Sequence, residues 1–201
     1  DRALIELDGT ANKGRIGAAV RTEVGGVPHH RLLPLHLPLR ADEAFRADVE
    51  RSSRLVAQVR PGVLHAHSNH VNGQVGLALR ARHGIPLVYE VRGLLEETWL
   101  SRTSRPEAAT SDFYRLTREA EGRVMRGADA VVTLSASLRE AVIERGVAPE
   151  RVHVVPNCVD ADWLATEPVA RRDVGAPLTV GIGGTLNAYE GVDVLVEAVA
   201  L

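Results

Sequence analysis

Three of the chain's eight histidines fall within six residues, in the stretch LHAHSNHVNG from Leu64 to Gly73. Imidazoles so spaced can ligate a metal or hydrogen-bond a sugar hydroxyl or a phosphate. On a strand, His65 and His67 project to one face, and His70 falls in the first turn of the helix expected next. A zinc or iron centre needs that convergence plus a carboxylate or another histidine from other strand ends, with a position open to water. The remaining histidines do not supply it. His29, His30 and His36 lie in a proline-flanked segment, His83 ends its helix, and no acid accompanies His153 at its strand end. The stretch is therefore expected to be a strand-to-helix turn at the C-terminal edge of a parallel sheet, with Ser68 or Asn69 capping the helix and no metal bound.

VYEVRGLLEE places Glu90 and Arg92 at the end of the next strand, with Glu96 and Glu97 just beyond. Arg92 can hold a phosphate or carboxylate bidentately, or it can pair with Glu96 or Glu97 to secure the loop. Neighbouring glutamates suggest general acid–base work only weakly, since such pairs are usually just solvated. In VGIGGTLNAYEG, a strand enters Gly183-Gly184, where backbone N–H groups can approach a diphosphate; a tight turn explains the glycines equally well. DGTANKGRIG fails the spacing of a phosphate-binding loop.

Strands and helices must alternate to position these groups. A strand is expected near His30 to Leu35, then a helix from Ala41 to Arg60 stopped by Pro61-Gly62. A strand from Val63 to His67, a helix from Asn69 to His83 stopped by Gly84, and a strand from Pro86 to Val91 follow. Arg92 to Ser111 is polar and irregular, which suggests a functional or mobile loop. A helix through Tyr114, Leu116, Ala120 and Val124 comes next, then a strand from Ala130 to Leu134. Ser135 or Ser137 caps a helix to Arg145, with Ser137 and Glu140 spaced as a capping box, and Val152 to Val155 is a strand. Leu178 to Ile182 begins another strand. Short apolar strands alternating with amphipathic helices imply a Rossmann-like α/β fold, a parallel sheet with helices on both faces.

Bulk properties exclude several classes. Net charge is −2, both signs are interspersed and aromatics make up 3%, so no footprint for nucleic acid is present. The single cysteine, Cys158, allows no internal disulfide and fits a reducing compartment. No apolar run approaches the roughly 20 residues of a membrane span, and no signal peptide is evident. Cytoplasmic location is expected, with peripheral association at a membrane surface compatible. Both ends read as cut, because the chain starts at Asp1 and stops at Leu201 within an apolar-periodic run.

Taken in order, VPHHRL, RPGVLHAHSNHVNG, GIPLVYEVRGLLEE, EGRVMRGADAVVTLS, ERVHVVPNCVD and VGIGGTLNAYEGVDVLVEAV resemble glycosyltransferase family 4, retaining enzymes of GT-B fold that use nucleotide sugars. The resemblance covers about Val27 to Leu201 and implies three parts: an acceptor-side Rossmann-like domain over 1–165, a linker over 166–177, and the first strand and helix of a donor-binding domain over 178–201. It implies that His67, Ser68 and His70 contact substrate, that Glu90 and Arg92 carry catalysis, and that Gly183, Gly184 and Thr185 face the donor diphosphate.

The sequence departs from the family pattern in places. Many relatives have histidine where Arg92 stands, glycine at Cys158, and an arginine and a lysine near Thr185 and Glu190. The family's E-x7-E donor element is absent. The implied activity is retaining transfer of a sugar from a nucleoside diphosphate to a carbohydrate or lipid-linked acceptor, in glycan biosynthesis, without metal or other cofactor. The chain alone is expected to be inactive. A stand-alone sugar- or nucleotide-binding module is the alternative, and a histidine-cluster metallohydrolase is a third possibility.

Overall fold

The computed structural model describes residues 21–32, 40–103, 105–165, 179–184 and 190–200. It opens with an antiparallel hairpin of β1 (Arg21–Val24) and β2 (Val27–His30). Gly25 and Gly26 join the strands with φ of 57° and 77°. Positive φ at both central positions suits the right-handed twist of a hairpin, and glycine reaches it without a Cβ clash. The strand expected from His30 to Leu35 thus lies earlier, and 33–35 fall outside the described residues.

Helix α1 (Ala41–Val59) carries Asp42 and Glu43 in its first turn, where carboxylates complement the helix dipole, and it ends before Pro61 as expected. Strand β3 (Leu64–His67), helix α2 (His70–His83) and strand β4 (Leu87–Val91) also match expectation within about a residue. Asn69, rather than Ser68, caps α2, accepting a hydrogen bond from Val71 N–H, and Gly84 closes the helix in the left-handed conformation.

The polar stretch after β4 is not an open loop. It holds helix α3 (Leu95–Ser101) and a single 3-10 turn (Ala108–Thr110), leading into helix α4 (Asp112–Gly127). Strand β5 (Ala130–Thr133), helix α5 (Ala136–Ile143), strand β6 (Val152–Val154) and a short helix α6 (Ala161–Leu164) follow. The Ser137–Glu140 capping box does not form: α5 starts at Ala136, so Ser135 takes the cap position and accepts from Leu138 N–H. Thr179–Ile182 is not a strand, because no neighbouring strand among the described residues supplies the ladder. Helix α7 (Val192–Val199) forms beyond it, and the expected linker 166–177 lies outside the described residues.

The four strands β3-β4-β5-β6 pair in parallel in sequence order, the expected Rossmann-like sheet, and among the described residues the helices of the core pack on one of its two faces. Leu64, Ala66, Leu87, Tyr89, Val91, Val131 and Val152 point to one face and form the core with Val56 of α1, Val75 and Leu79 of α2, Val124 and Met125 of α4 and Val142 of α5. Close packing of α2 depends on two glycines. A Cβ on Gly73 would overlap Val124, and one on Gly76 would sit 2.9 Å from Leu87 Cδ1. Asp129 fastens the sheet at its start: its carboxylate accepts two hydrogen bonds from Arg80 and one from Leu87 N–H, while Asp129 N–H donates to the Leu87 carbonyl. Among the described residues, no helix is long and apolar enough to cross a membrane.

Candidate functional site at the C-terminal edge of the sheet

Strand alternation sends every second side chain away from the core. His65 and His67 of β3, Val88 and Glu90 of β4, Val132 of β5 and His153 of β6 share that second face, and each is half-buried or exposed. In the β3–β4 register His67 stands opposite Glu90. His65 Nε2 lies 3.1 Å from Glu90 Oε2, and His67 Nδ1 lies 3.5 Å from Glu90 Oε1. The two imidazoles stack with centroids 4.7 Å apart and planes 18° from parallel. Partial burial, and then the neighbouring His67, hold the His65 pKa below the usual imidazole value, against the pull of Glu90. Sequence reasoning found both histidines but not the carboxylate partner, because only strand pairing brings Glu90 alongside them.

Arg92 follows β4, with Nε 3.7 Å from Glu90 Oε1 and more than half its side chain exposed. It does not pair with Glu96 or Glu97 in the loop, as one reading of the sequence allowed. Glu96 is buried against Arg145, with 2.6 Å between Oε1 and Nη2. Glu97 instead accepts from Tyr114 Oη at 2.7 Å and faces Arg118 Nη1 at 3.5 Å. These contacts fasten α3 to α4 and to the segment just after α5, so the guanidinium of Arg92 is not used to hold α3.

Ser68 continues the ladder, donating its N–H to the Glu90 carbonyl, and its Oγ accepts from Arg92 N–H at 3.2 Å. The Asn72 side-chain amide donates to the His67 carbonyl. The turn between β3 and α2 is thereby tied to the end of β4, and the Ser68–Asn69 peptide is cis.

His70 occupies a different setting from its two neighbours. Its backbone N–H donates to Glu121 Oε1 at 2.7 Å, and its ring Nδ1 faces the same oxygen at 3.5 Å without a hydrogen bond. Tyr89 Oη donates to the other Glu121 oxygen at 2.6 Å. Glu121 is fully buried, and burial followed by its charge raises the Tyr89 pKa, so the phenol keeps its proton and the bond. A carboxylate at a helix N-terminus, with both oxygens engaged, anchors the start of α2. Glu121 carried no assignment from sequence; an acid in the apolar stripe of α4 was the available signal.

His67, Ser68, Glu90 and Arg92 therefore converge at the sheet edge, with His70 turned inward beside them. Gly183 and Gly184 fall in the described stretch 179–184, and Thr185 lies outside the described residues. The Glu190 carboxylate rests against Gly184, in the space a Cβ there would take, so an acid stands where the resemblance implies a diphosphate.

The edge offers an exposed guanidinium, a carboxylate acceptor and two imidazoles on a rigid parallel sheet. Open α/β sheets commonly bind ligands beyond the carboxyl ends of their strands, and groups of these types suit hydroxyl or phosphate oxygens. No curated protein matches the chain. The model of Glycosyltransferase Family 4 matches residues 11–163, which contain the entire four-stranded sheet and its edge cluster, and the chain belongs to that family.

Proposed function

We propose that the chain supplies the acceptor side of a retaining transfer of a sugar from a nucleoside-diphosphate donor to a carbohydrate or lipid-linked hydroxyl. The observation that carries this reading is the meeting of Glu90, Arg92, Ser68 and His67 at the C-terminal edge of a sheet that lies within the family match. Glu90 accepts hydrogen bonds from sugar hydroxyls, and Arg92 stabilises negative charge developing on the departing diphosphate. His67 and Ser68 orient the acceptor, with His70 holding the turn through Glu121. Gly183, Gly184 and Thr185 approach the diphosphate by backbone N–H groups. Metal and other cofactors are not required in this scheme, and the setting is cytoplasmic, with a peripheral membrane surface compatible with lipid-linked acceptors.

Turnover in this reading needs a donor-binding domain carrying the E-x7-E element in addition to these residues. The test is mass-spectrometric detection of glycosylated product after incubation with UDP-glucose or GDP-mannose and a panel of alkyl glycosides. The 201-residue chain alone is expected to give none, and the chain joined to a family 4 donor domain is expected to give product. In the joined protein Arg92→Ala should lower kcat about 100-fold or more, the scale of losing one charge-stabilising group. Product from the chain alone would overturn the dependence on a donor domain, and an unchanged kcat in Arg92→Ala would overturn the role of Arg92.

A further inference from the structure

The three side chains His65, His67 and Glu90 form a candidate ligand set for a metal ion, of which the scheme above uses Glu90 and His67 as hydrogen-bonding groups and leaves His65 without a role. Each offers one donor atom, and these atoms all lie within 4.8 Å of one another. His65 Nε2 lies 3.1 Å from one Glu90 oxygen and His67 Nδ1 3.5 Å from the other. Ligand bonds of about 2.0–2.2 Å in a tetrahedral zinc site put neighbouring donor atoms ~3.3–3.6 Å apart. The three donors therefore stand within reach of a single ion, at separations of up to 4.8 Å that an ion would draw in.

The scaffold also favours capture. His65 and His67 are alternate residues of one strand, so backbone geometry alone sends both to the same face. Glu90 is set by the β3–β4 register, one strand away. The histidine side chains are 40% and 45% exposed, which leaves an approach for the ion and positions for water. We propose that His65, His67 and Glu90 bind one divalent transition-metal ion of the zinc class at the end of β3 and β4.

Two imidazoles and one carboxylate suit zinc, cobalt, nickel or copper, whereas calcium and magnesium take oxygen donors. Arg92, 3.7 Å from Glu90, opposes the ion by charge and gives up its contact with the carboxylate when the ion binds. The ion cross-links two adjacent strand ends and holds Glu90 and His67 in fixed orientation. Metal affinity is read without any sugar or nucleotide, so this inference and the transferase reading fail independently.

The test uses the untagged chain stripped with a chelator and titrated with cobalt(II) chloride, followed by visible absorption and then by zinc chloride competition in a calorimeter. One ion per chain is expected, with the intense absorption of four-coordinate cobalt that zinc abolishes. His65→Ala and Glu90→Gln are each expected to weaken binding about tenfold or more, the lower bound set by changes even to groups that only support a ligand. His153→Ala, on the same sheet face but outside the triad, is expected to leave affinity unchanged, with far-UV circular dichroism confirming that every variant is folded. Absence of binding, binding that survives both triad substitutions, or binding lost with His153→Ala overturns the site.

Discussion

The two faces of the parallel sheet are built from the same strands by simple alternation, yet they differ in almost every physical respect. Leu87, Tyr89, Val91 and Val131 on the covered face have no exposed surface, and the buried Tyr89 hydroxyl is paired with Glu121. Across the same backbone, His65, His67, Glu90 and His153 keep contact with solvent among the described residues. Neighbouring positions in sequence thus differ in setting, one set excluding water to hold the fold and the other keeping contact with it. The division costs nothing in chain length, because a strand offers both directions at once.

The largest expected effect breaks the covered face. Tyr89→Ala removes a fully buried ring and strips Glu121 of its phenol partner, so urea denaturation should show a loss of about 3–5 kcal/mol. A loss below ~1 kcal/mol would mean that the face is not the core. Glu96→Ala, which leaves Arg145 buried without its carboxylate, should cost about 3 kcal/mol in the same measurement, while Glu97→Ala, removing a half-exposed partner, should cost far less.

Gly76→Ala tests how tightly α2 sits on the sheet. Alanine gains roughly 1 kcal/mol of helix propensity over glycine, but overpacking against Leu87 should turn the net effect into a loss of about 1–2 kcal/mol. The acid limb of stability gives a subtler test. Hydrogen bonds from Arg80 and then from Leu87 N–H hold the Asp129 carboxyl well below the usual carboxylate range. Below about pH 4 the unfolded chain takes up that proton before the folded one does, so the stabilisation present at neutral pH is lost as pH falls. Asp129→Asn should flatten this part of the pH–stability curve relative to the parent chain. Smallest of all, His153→Ala on the open face should shift the urea midpoint by no more than ~0.5 kcal/mol equivalent.

Much of the fold was legible because its signals are local. The helix from Ala41 is stopped by Pro61, the helix after His67 is closed by Gly84, and strand lengths follow the apolar runs. The Gly25-Gly26 hairpin had its signal in two adjacent glycines between strand formers. Helix α3 was missed for a physical reason: its buried residue is Glu96, which violates the apolar pattern by which helices are recognised. Its compensation, Arg145, lies far away in sequence.

The site divides in the same way. From residue type and spacing alone came the shared direction of His65 and His67, the capped turn after them, and Arg92 at a strand end, since each depends on backbone periodicity or a neighbouring residue. Tertiary structure alone decided that Glu90 stands beside the two histidines, that His70 turns toward Glu121, and that Arg92 leaves the loop glutamates to Arg145, Tyr114 and Arg118. Those pairings join residues that only strand register and helix packing bring within reach. Electrostatic and hydrogen-bond partners act over a few ångströms of space, whatever their separation along the chain.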